Sequence, residues 1–173
     1  MILVGTYPVR KRDLNLLWRD GPHWAEPKVD GWRVQILPGG VIRSREGLDL
    51  TGTCPVPILD DLVLDGELYD PAQRGPEGLL SRPALQCVFW DCLPIADYRA
   101  GCCNAPIEER REQLLQLGVQ CVDRLRVACD DDVLELAREI WSNGGEGIVV
   151  KRAGSSWRAG RDQWYKLKKG EKA

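Results

Sequence analysis

Residues 28–33 read Lys-Val-Asp-Gly-Trp-Arg, so a primary amine stands at the mouth of an Asp-Gly turn and is followed by a guanidinium group. Asp-Gly is a common turn pair. A lysine amine attacks phosphorus only when it is deprotonated, and the ordinary lysine pKa of about 10.4 means that it needs desolvation or neighbouring positive charge. With such neighbours, this stretch predicts a nucleophile for phosphate chemistry at Lys28.

Four further polar stretches follow this one in order along the chain. They are Asp65-Gly66-Glu67-Leu68, Phe89-Trp90-Asp91, Glu146 to Lys151 and Trp164 to Lys168. Five ordered matches are far harder to obtain by chance than one. The series resembles the nucleotidyltransferase core of the covalent-lysine superfamily, which contains ATP-dependent DNA ligases, RNA ligases and mRNA-capping enzymes. The resemblance covers residues 26–169.

The fifth stretch can supply the positive charge that the nucleophile needs. In a strand, Lys166 and Lys168 share a face with Trp164, and Leu167 points to the core. The resemblance implies that Lys28 forms a phosphoramidate with AMP and releases pyrophosphate. Lys28, Lys166 and Lys168 are therefore the predicted catalytic residues, although Lys28 alone would be interpreted as a surface lysine.

The resemblance also implies a nucleotide-binding set. Glu67 is expected to accept a hydrogen bond from a ribose hydroxyl, and Arg33 to donate to ribose or phosphate. Arg45 matches an arginine that contacts phosphate in DNA ligases. Trp90 matches an aromatic ring that stacks on adenine, and Glu26 a residue that contacts the adenine amino group. The ordinary alternatives are a solvated strand face for Glu67 and a core position for Trp90.

The fourth stretch implies a metal site. By resemblance, Glu146 helps to hold a divalent cation and Lys151 contacts the α-phosphate. Five residues of regular strand would put these two side chains on opposite faces, so Glu146 must lie in the turn at Gly144-Gly145 or a bulge must intervene. We expect Mg²⁺, held by Glu67 and Glu146, because a hard cation prefers oxygen ligands. The complete predicted nucleotide-binding set is Glu26, Lys28, Arg33, Arg45, Glu67, Trp90, Glu146, Lys151, Lys166 and Lys168.

The pattern of apolar and turn residues indicates an α+β fold. Strands are predicted on both sides of a helical segment without regular β-α-β alternation. In the strand at 62–69, Asp65 and Glu67 share one face. The resemblance implies antiparallel β-sheets flanked by helices, with the nucleotide in a groove between the sheets. The predicted elements are a hairpin at 34–37 and 41–45, strands at 62–69, 85–90 and 121–127, and helices at 108–117 and 130–141.

Composition and charge exclude several classes of protein. The 173 residues, 43% of them apolar, suit one domain with a substantial core. The chain has no apolar run near the roughly 20 residues that span a bilayer, and its N-terminus lacks a signal-peptide pattern. Seven cysteines without a C-x-x-C pair favour reduced thiols and argue against zinc. We expect a cytoplasmic or nucleoid-associated protein.

The net charge of −2 lacks the basic excess that is usual in a nucleic-acid-binding domain. Basic residues nevertheless collect from Arg152 onwards and could follow a phosphate backbone. A solvated charged surface is the ordinary alternative for any one of these side chains.

Details of the stretches favour a DNA ligase within the superfamily. RNA ligases often replace the arginine that matches Arg33 by asparagine, and Ser44-Arg45 follows the hairpin as a Ser-Arg pair does in DNA ligases. The predicted protein is therefore an ATP-dependent DNA ligase adenylation domain that forms lysine-AMP and transfers AMP to the 5′-phosphate of nicked double-stranded DNA. An RNA ligase, an mRNA-capping guanylyltransferase and a non-catalytic nucleotide- or DNA-binding remnant remain open alternatives.

The resemblance also sets an expectation for domain organisation. Residues 1–173 are expected to form a single nucleotidyltransferase domain, with no OB-fold and no separate DNA-binding domain. Most DNA ligases continue into an OB-fold after the fifth stretch, so a partner protein or a missing domain would have to supply one. ATP and Mg²⁺ are the expected cofactors.

Overall fold

The computed structural model of the protein describes residues 4–9 and 11–170, without the side chains at 4–7, 11, 12 and 161–163. Two β-sheets and three α-helices form the body of the fold. The strands are β1 (Val4–Pro8), β2 (His23–Lys28), β3 (Trp32–Leu37), β4 (Val41–Ser44), β5 (Leu62–Tyr69), β6 (Gln86–Pro94), β7 (Cys102–Cys103), β8 (Leu125–Val127), β9 (Gly147–Arg152), β10 (Trp157–Arg158) and β11 (Gly160–Lys168). The helices are α1 (Ile95–Ala100), α2 (Ile107–Gln116) and α3 (Asp130–Ser142).

The strand order is β1-β11-β9-β2-β8 in the five-stranded sheet and β4-β3-β5-β6 in the four-stranded sheet. Neighbouring strands run antiparallel, except that β1 pairs with β11 in parallel. Strands β7 and β10 form a separate two-stranded ladder. The α+β fold with antiparallel sheets and flanking helices is therefore confirmed. None of the helices in the described part of the chain is long and apolar enough to cross a membrane.

Three clusters of buried side chains hold the layers together. One cluster consists mainly of side chains of the four-stranded sheet and the loops packed on it. A second joins the five-stranded sheet to α3 through residues such as Val133 and Ala137. The third lies between the sheets, where Val63 and Leu93 of one sheet meet Trp164 of the other. Because this cluster joins the sheets along part of their length only, space for a ligand remains beside it.

Helix α3 is followed by a tight turn that leads into β9. Three aspartates occupy its first turn, where negative charge is favourable at the positive end of the helix dipole. The helix gives way to a turn at Asn143, Gly144 and Gly145, and Gly144 has a φ of +76° that favours glycine. A side chain at Gly145 would lie 2.4 Å from Ile140, so the chain packs tightly as it returns to β9.

Most predicted elements occur within a few residues of their predicted bounds. The hairpin, the strand at 62–69 and both helices are confirmed, and the strand predicted at 85–90 continues to Pro94. The strand predicted at 121–127 is wrong in its first half, because that segment crosses from one sheet to the other. Cys121 bridges Phe89 of β6, whereas Leu125 pairs with Ala25 of β2.

Candidate active site

A pocket of about 670 Å³ lies between the two sheets, large enough for a nucleotide. It is lined by every member of the predicted nucleotide-binding set except Glu146, together with residues such as Val29, Leu48 and Trp164. Residues that are up to 142 positions apart in the sequence therefore converge on one cavity, from Glu26 to Lys168.

Three charged side chains form what we call the mouth of the pocket: Lys28, Glu146 and Lys168. The two carboxylate oxygens of Glu146 contact the ammonium groups of Lys28 and of Lys168. The sheet register explains this row, because Gly147 on β9 lies opposite Lys28 on one side and Lys168 on the other. A Cβ at Gly147 would lie 2.1 Å from the carbonyl oxygen of Leu167, so only glycine fits there.

Glu146 lies between the turn at 143–145 and β9, and therefore outside the strand. Of the two geometries considered for Glu146 and Lys151, the structure shows the one with Glu146 outside the strand. Burial would raise the pKa of Glu146, but the hydrogen bonds and charges of Lys168 and Lys28 outweigh it and hold that pKa below its ordinary value. Glu146 is therefore ionised at neutral pH and neutralises part of the positive charge around Lys28.

A second group of charges, which we call the floor, lies deeper in the pocket. Its first pair is Arg33 on β3 and Asp65 on β5: Arg33 Nε donates to Asp65 Oδ1 at 3.0 Å, and Nη2 to Oδ2 at 2.5 Å. The guanidinium carbon lies 5.6 Å from the ring centroid of Trp90 and 5.5 Å from that of Trp164. Cation–π contacts of this kind link the two sheets.

The rest of the floor is an ion cluster around Glu26, which is 2% exposed. Arg124 donates to Glu26 Oε1 from Nε at 2.8 Å and from Nη2 at 2.6 Å. The ammonium group of Lys151 lies 2.6 Å from Glu26 Oε2 and 4.1 Å from the ring centroid of Trp164. Burial lowers the pKa of Lys151, and the charge of Glu26 opposes that effect.

These pairings bear on the predicted roles. Glu26 and Lys151 are engaged with each other, and Arg33 with Asp65, so their predicted contacts with adenine, α-phosphate and ribose stay predictions. Arg124 was not found from the sequence, because it belongs to no recognisable motif and its partner Glu26 lies 98 positions earlier.

Glu67 lies between the mouth and the floor and is only 8% exposed. Burial raises its pKa to about 8, although the charges of Lys28 and Arg33 oppose the rise. The alternative interpretation of Glu67 as a residue on a solvated strand face is therefore wrong. Gly31 makes room for the approach of the first stretch to β5, since a Cβ there would lie 2.2 Å from Leu68 O and 3.0 Å from Glu67 Cγ.

Asp91 has a structural partner. Arg110 of α2, 2% exposed, donates from Nε to Asp91 Oδ1 at 2.8 Å and from Nη2 to Oδ2 at 3.0 Å. A third nitrogen of Arg110 bonds to the carbonyl oxygens of Ala105 and Ser155. This bidentate pair fixes α2 against β6, beside Trp90.

The remaining candidates lie on the walls of the pocket. Arg45 follows β4, is exposed, and donates its backbone N–H to Arg33 O at 3.1 Å. Trp90 is half-buried and lines the pocket with Lys166. The predicted alternation in β11 is confirmed, because Leu167 packs in the core with α3 on the face opposite Trp164.

Comparisons with known proteins show the family and the fold of this chain. Residues 15–168 match the family described as ATP dependent DNA ligase domain. The chain belongs to this family, and its fold is that of a ligase adenylation domain.

Solved structures with the same fold include the ATP-dependent DNA ligase of bacteriophage T7 in complex with ATP, with 19% identity and a TM-score of 0.73 over 95% of this chain and 68% of that one. An archaeal ATP-dependent RNA ligase matches at 19% identity and a TM-score of 0.66, over 92% of this chain and 47% of that one. A structure named Pmar-Lig_PreS3 matches at 19% identity and a TM-score of 0.72, over 97% of this chain. The chain spans 46% of the length of Pmar-Lig_PreS3.

Proposed function

We propose that this domain adenylates itself on Lys28 and passes the AMP to the 5′-phosphate of nicked double-stranded DNA. The observation that carries the proposal is the mouth of the pocket, where the Lys28 amine lies beside Glu146 and Lys168 at the edge of a nucleotide-sized cavity. A lone surface lysine would need no such surroundings.

The proposed first step is an in-line displacement at the α-phosphorus of ATP. Lys28 Nζ, once deprotonated, forms the N–P bond, and the bond between the α-phosphorus and the bridging oxygen of pyrophosphate breaks. Glu146 contacts the Lys28 ammonium group, so this contact must break before attack. Lys166 and Lys168 are the cations that would stabilise the charge developing on phosphate oxygens.

The other pocket residues are assigned by their position. Trp90 would stack on adenine, Glu67 would bond to the ribose, and Arg45 on the outer wall would contact phosphate. Glu26, Arg33 and Lys151 on the floor would hold the pocket residues in position, in addition to any contact that they make with the nucleotide.

Two carboxylates, Glu67 and Glu146, suit a magnesium ion that takes its remaining ligands from phosphate and water. Among the residues that the structure describes, no group of three or more His, Cys, Asp and Glu side chains could hold a metal ion by itself. That donor set fits an ion that arrives with the nucleotide. Bound Mg²⁺ would neutralise charge on the leaving pyrophosphate.

Covalent labelling tests the first step. Wild-type protein is incubated with Mg²⁺ and α-labelled ATP or GTP and run on a denaturing gel, beside Lys28→Arg and the matched surface variant Lys169→Ala. We expect label from ATP in wild type and in Lys169→Ala and none in Lys28→Arg. Label that survives in Lys28→Arg, or label from neither nucleotide, would contradict the proposal, and label from GTP alone would indicate a capping-type enzyme.

A second assay separates DNA from RNA ends, because the similarity to an archaeal RNA ligase supports an RNA substrate as the other candidate. Pre-adenylated nicked DNA and pre-adenylated nicked RNA already carry AMP on the 5′-phosphate, so they bypass lysine adenylation and AMP transfer and test the final sealing step alone. Sealing of the DNA nick supports the proposal, and sealing of RNA alone would replace it. A duplex sealed only after addition of an OB-fold protein would indicate that a partner completes the enzyme.

A further inference from the structure

Two cysteines from distant parts of the sequence meet inside the core of the four-stranded sheet. Cys54 belongs to the loop at 45–61, which joins β4 to β5, and Cys87 belongs to β6. Their sulfur atoms lie 3.4 Å apart although the residues are 33 positions apart in the chain. Their exposed fractions are 8% and 7%, and both belong to the same core cluster. The fold therefore holds two thiols side by side in an enclosed place.

This contact differs from those of other cysteines. Cys92 is also buried, but its sulfur lies 3.1 Å from the carbonyl oxygen of Arg110. Cys129 is exposed on the surface. Between Cys54 and Cys87 the hydrogen bond joins sulfur to sulfur, so each thiol already lies next to the atom with which an S–S bond would form.

We propose that Cys54 and Cys87 are a reversible disulfide site that ties the loop at 45–61 to β6. The oxidant is a low-molecular-weight disulfide. The Cys54 thiolate attacks one sulfur of the oxidant and releases one thiol, and Cys87 then loses its proton and attacks the Cys54 sulfur, releasing the second thiol. Two electrons pass from the cysteine pair to the oxidant, and the two cysteine protons leave with the released thiols.

Cys54 is the expected first nucleophile. The hydrogen bond with Cys87 lowers the pKa of Cys54, and Thr53 adds to the effect against the opposing effect of burial. The same hydrogen bond, together with burial, raises the pKa of Cys87. Residues 51–53 and Pro55 around Cys54 are exposed, so a local opening of the loop reaches this thiol first.

The bond would act on one wall of the pocket. The loop at 45–61 carries Arg45 and Leu48, both of which line the cavity between the sheets. A covalent link at Cys54 would restrict this loop against the four-stranded sheet, whereas the contacts described for the reduced loop, which are side-chain packing, hydrogen bonds and the Arg43–Asp49 ion pair, are all non-covalent. Oxidation would therefore stabilise the fold and limit the motion of this wall.

Disulfide mapping of the full chain tests the proposal. The protein carries Cys129→Ser, which removes the exposed thiol that would join two molecules. It is equilibrated with oxidised and reduced glutathione at graded ratios, alkylated, digested and analysed by mass spectrometry. We expect a peptide linked through Cys54 and Cys87, lost again on treatment with dithiothreitol, and a Tm about 5 °C higher in the oxidised form.

Three variants in the same background control the assignment. Cys54→Ala and Cys87→Ala should each lose the linked peptide and the rise in Tm, and Cys92→Ala, which removes a buried thiol bonded to oxygen, should keep both. The mapping on the Cys129→Ser protein decides the question even where a core variant does not fold. Free Cys54 and Cys87 at every glutathione ratio, or a separate glutathione adduct on each, would overturn the proposal.

Discussion

The mouth and the floor of the pocket contain the same kinds of ion pair in different surroundings. At the mouth, the side chains of Lys28, Glu146 and Lys168 are 25%, 19% and 33% exposed. On the floor, those of Asp65 and Lys151 are each 1% exposed. Water can replace the partner of a mouth residue at little cost, whereas a floor residue that loses its partner leaves a buried charge without compensation.

The difference shows how a site can be charged and still rigid. The floor pairs Arg33–Asp65 and Glu26–Lys151 each join strands within one sheet. The cation–π contacts of Arg33 with Trp164 and of Lys151 with Trp90 link the two sheets, so the floor holds the pocket in shape. Mouth pairs can exchange protein partners for a ligand, which a reacting lysine must do. Substitutions on the floor should therefore affect folding first, and substitutions at the mouth should affect chemistry first.

The largest effect is expected on the floor. Asp65→Ala removes the 1% exposed bidentate partner of Arg33, whose own side chain is 16% exposed, and should lower the free energy of unfolding by about 3–4 kcal/mol. The matched control is Asp49→Ala, which breaks the exposed pair with Arg43 and should cost under about 1 kcal/mol. Urea unfolding of both variants measures the contrast, and equal losses would remove the distinction between floor and surface.

At the mouth, the expected loss is in activity. Lys168→Ala removes a cation beside the attacking amine and should slow Lys28 labelling by about 10²-fold. Its free energy of unfolding should change by less than about 1 kcal/mol, because Glu146 keeps Lys28 as a partner. Single-turnover labelling, read beside urea unfolding of the same samples, separates the two effects. If Lys168→Ala lost stability in proportion to its loss of activity, Lys168 would be a structural residue like those of the floor.

Between the two regions, Glu67 makes stability depend on pH. Its pKa is raised from 4.5 to about 8 in the folded state, so its contribution is fully present below pH 4.5 and is lost as the pH rises through 8. Between pH 5 and pH 8.5, the free energy of unfolding of the wild type should fall by about 2–4 kcal/mol more than that of Glu67→Gln. Urea unfolding at both pH values gives this difference, and parallel losses in the two proteins would show that Glu67 is ionised throughout.

The smallest effect on stability is expected for the proposed nucleophile. Lys28→Gln removes a partly exposed ion pair at the end of β2 and should change the free energy of unfolding by no more than about 1 kcal/mol. The same variant should lose all covalent labelling. Thermal unfolding at low and high salt checks the first part, and a destabilisation of several kcal/mol would show that the mouth also supports the fold.

Local sequence patterns were sufficient to predict features that depend on neighbouring residues within one helix, strand or turn. The alternation of Leu167 with Lys166 and Lys168, and the helix at 130–141, both appear in the structure as predicted. The position of Glu146 outside β9 followed from strand geometry and two glycines. Each of these inferences needs only neighbours within a few positions.

Patterns failed where the partner lies on another strand. The segment at 121–127 was predicted as one strand, but Cys121 at its start bridges the four-stranded sheet and Leu125 to Val127 pair with the five-stranded sheet. The pairing of Arg33 with Asp65 was also not found from the sequence, because it depends on the register of β3 against β5, and the predicted contact of Arg33 with the nucleotide stays a prediction. No periodicity within one element encodes either fact.

By itself, the sequence determined which residues are the candidates for the chemistry, because five ordered stretches predict a reactive lysine, two carboxylates and two further lysines. Tertiary structure alone decided which of these charges are exposed and which are buried. The register of β2, β9 and β11 brings Lys28, Glu146 and Lys168 into one row, and the approach of the two sheets buries Asp65. The type of a side chain sets which chemistry it can perform. Its distance from water and from other charges sets its pKa and the free energy needed to bury it, and these distances are fixed only when strands far apart in the sequence pack together.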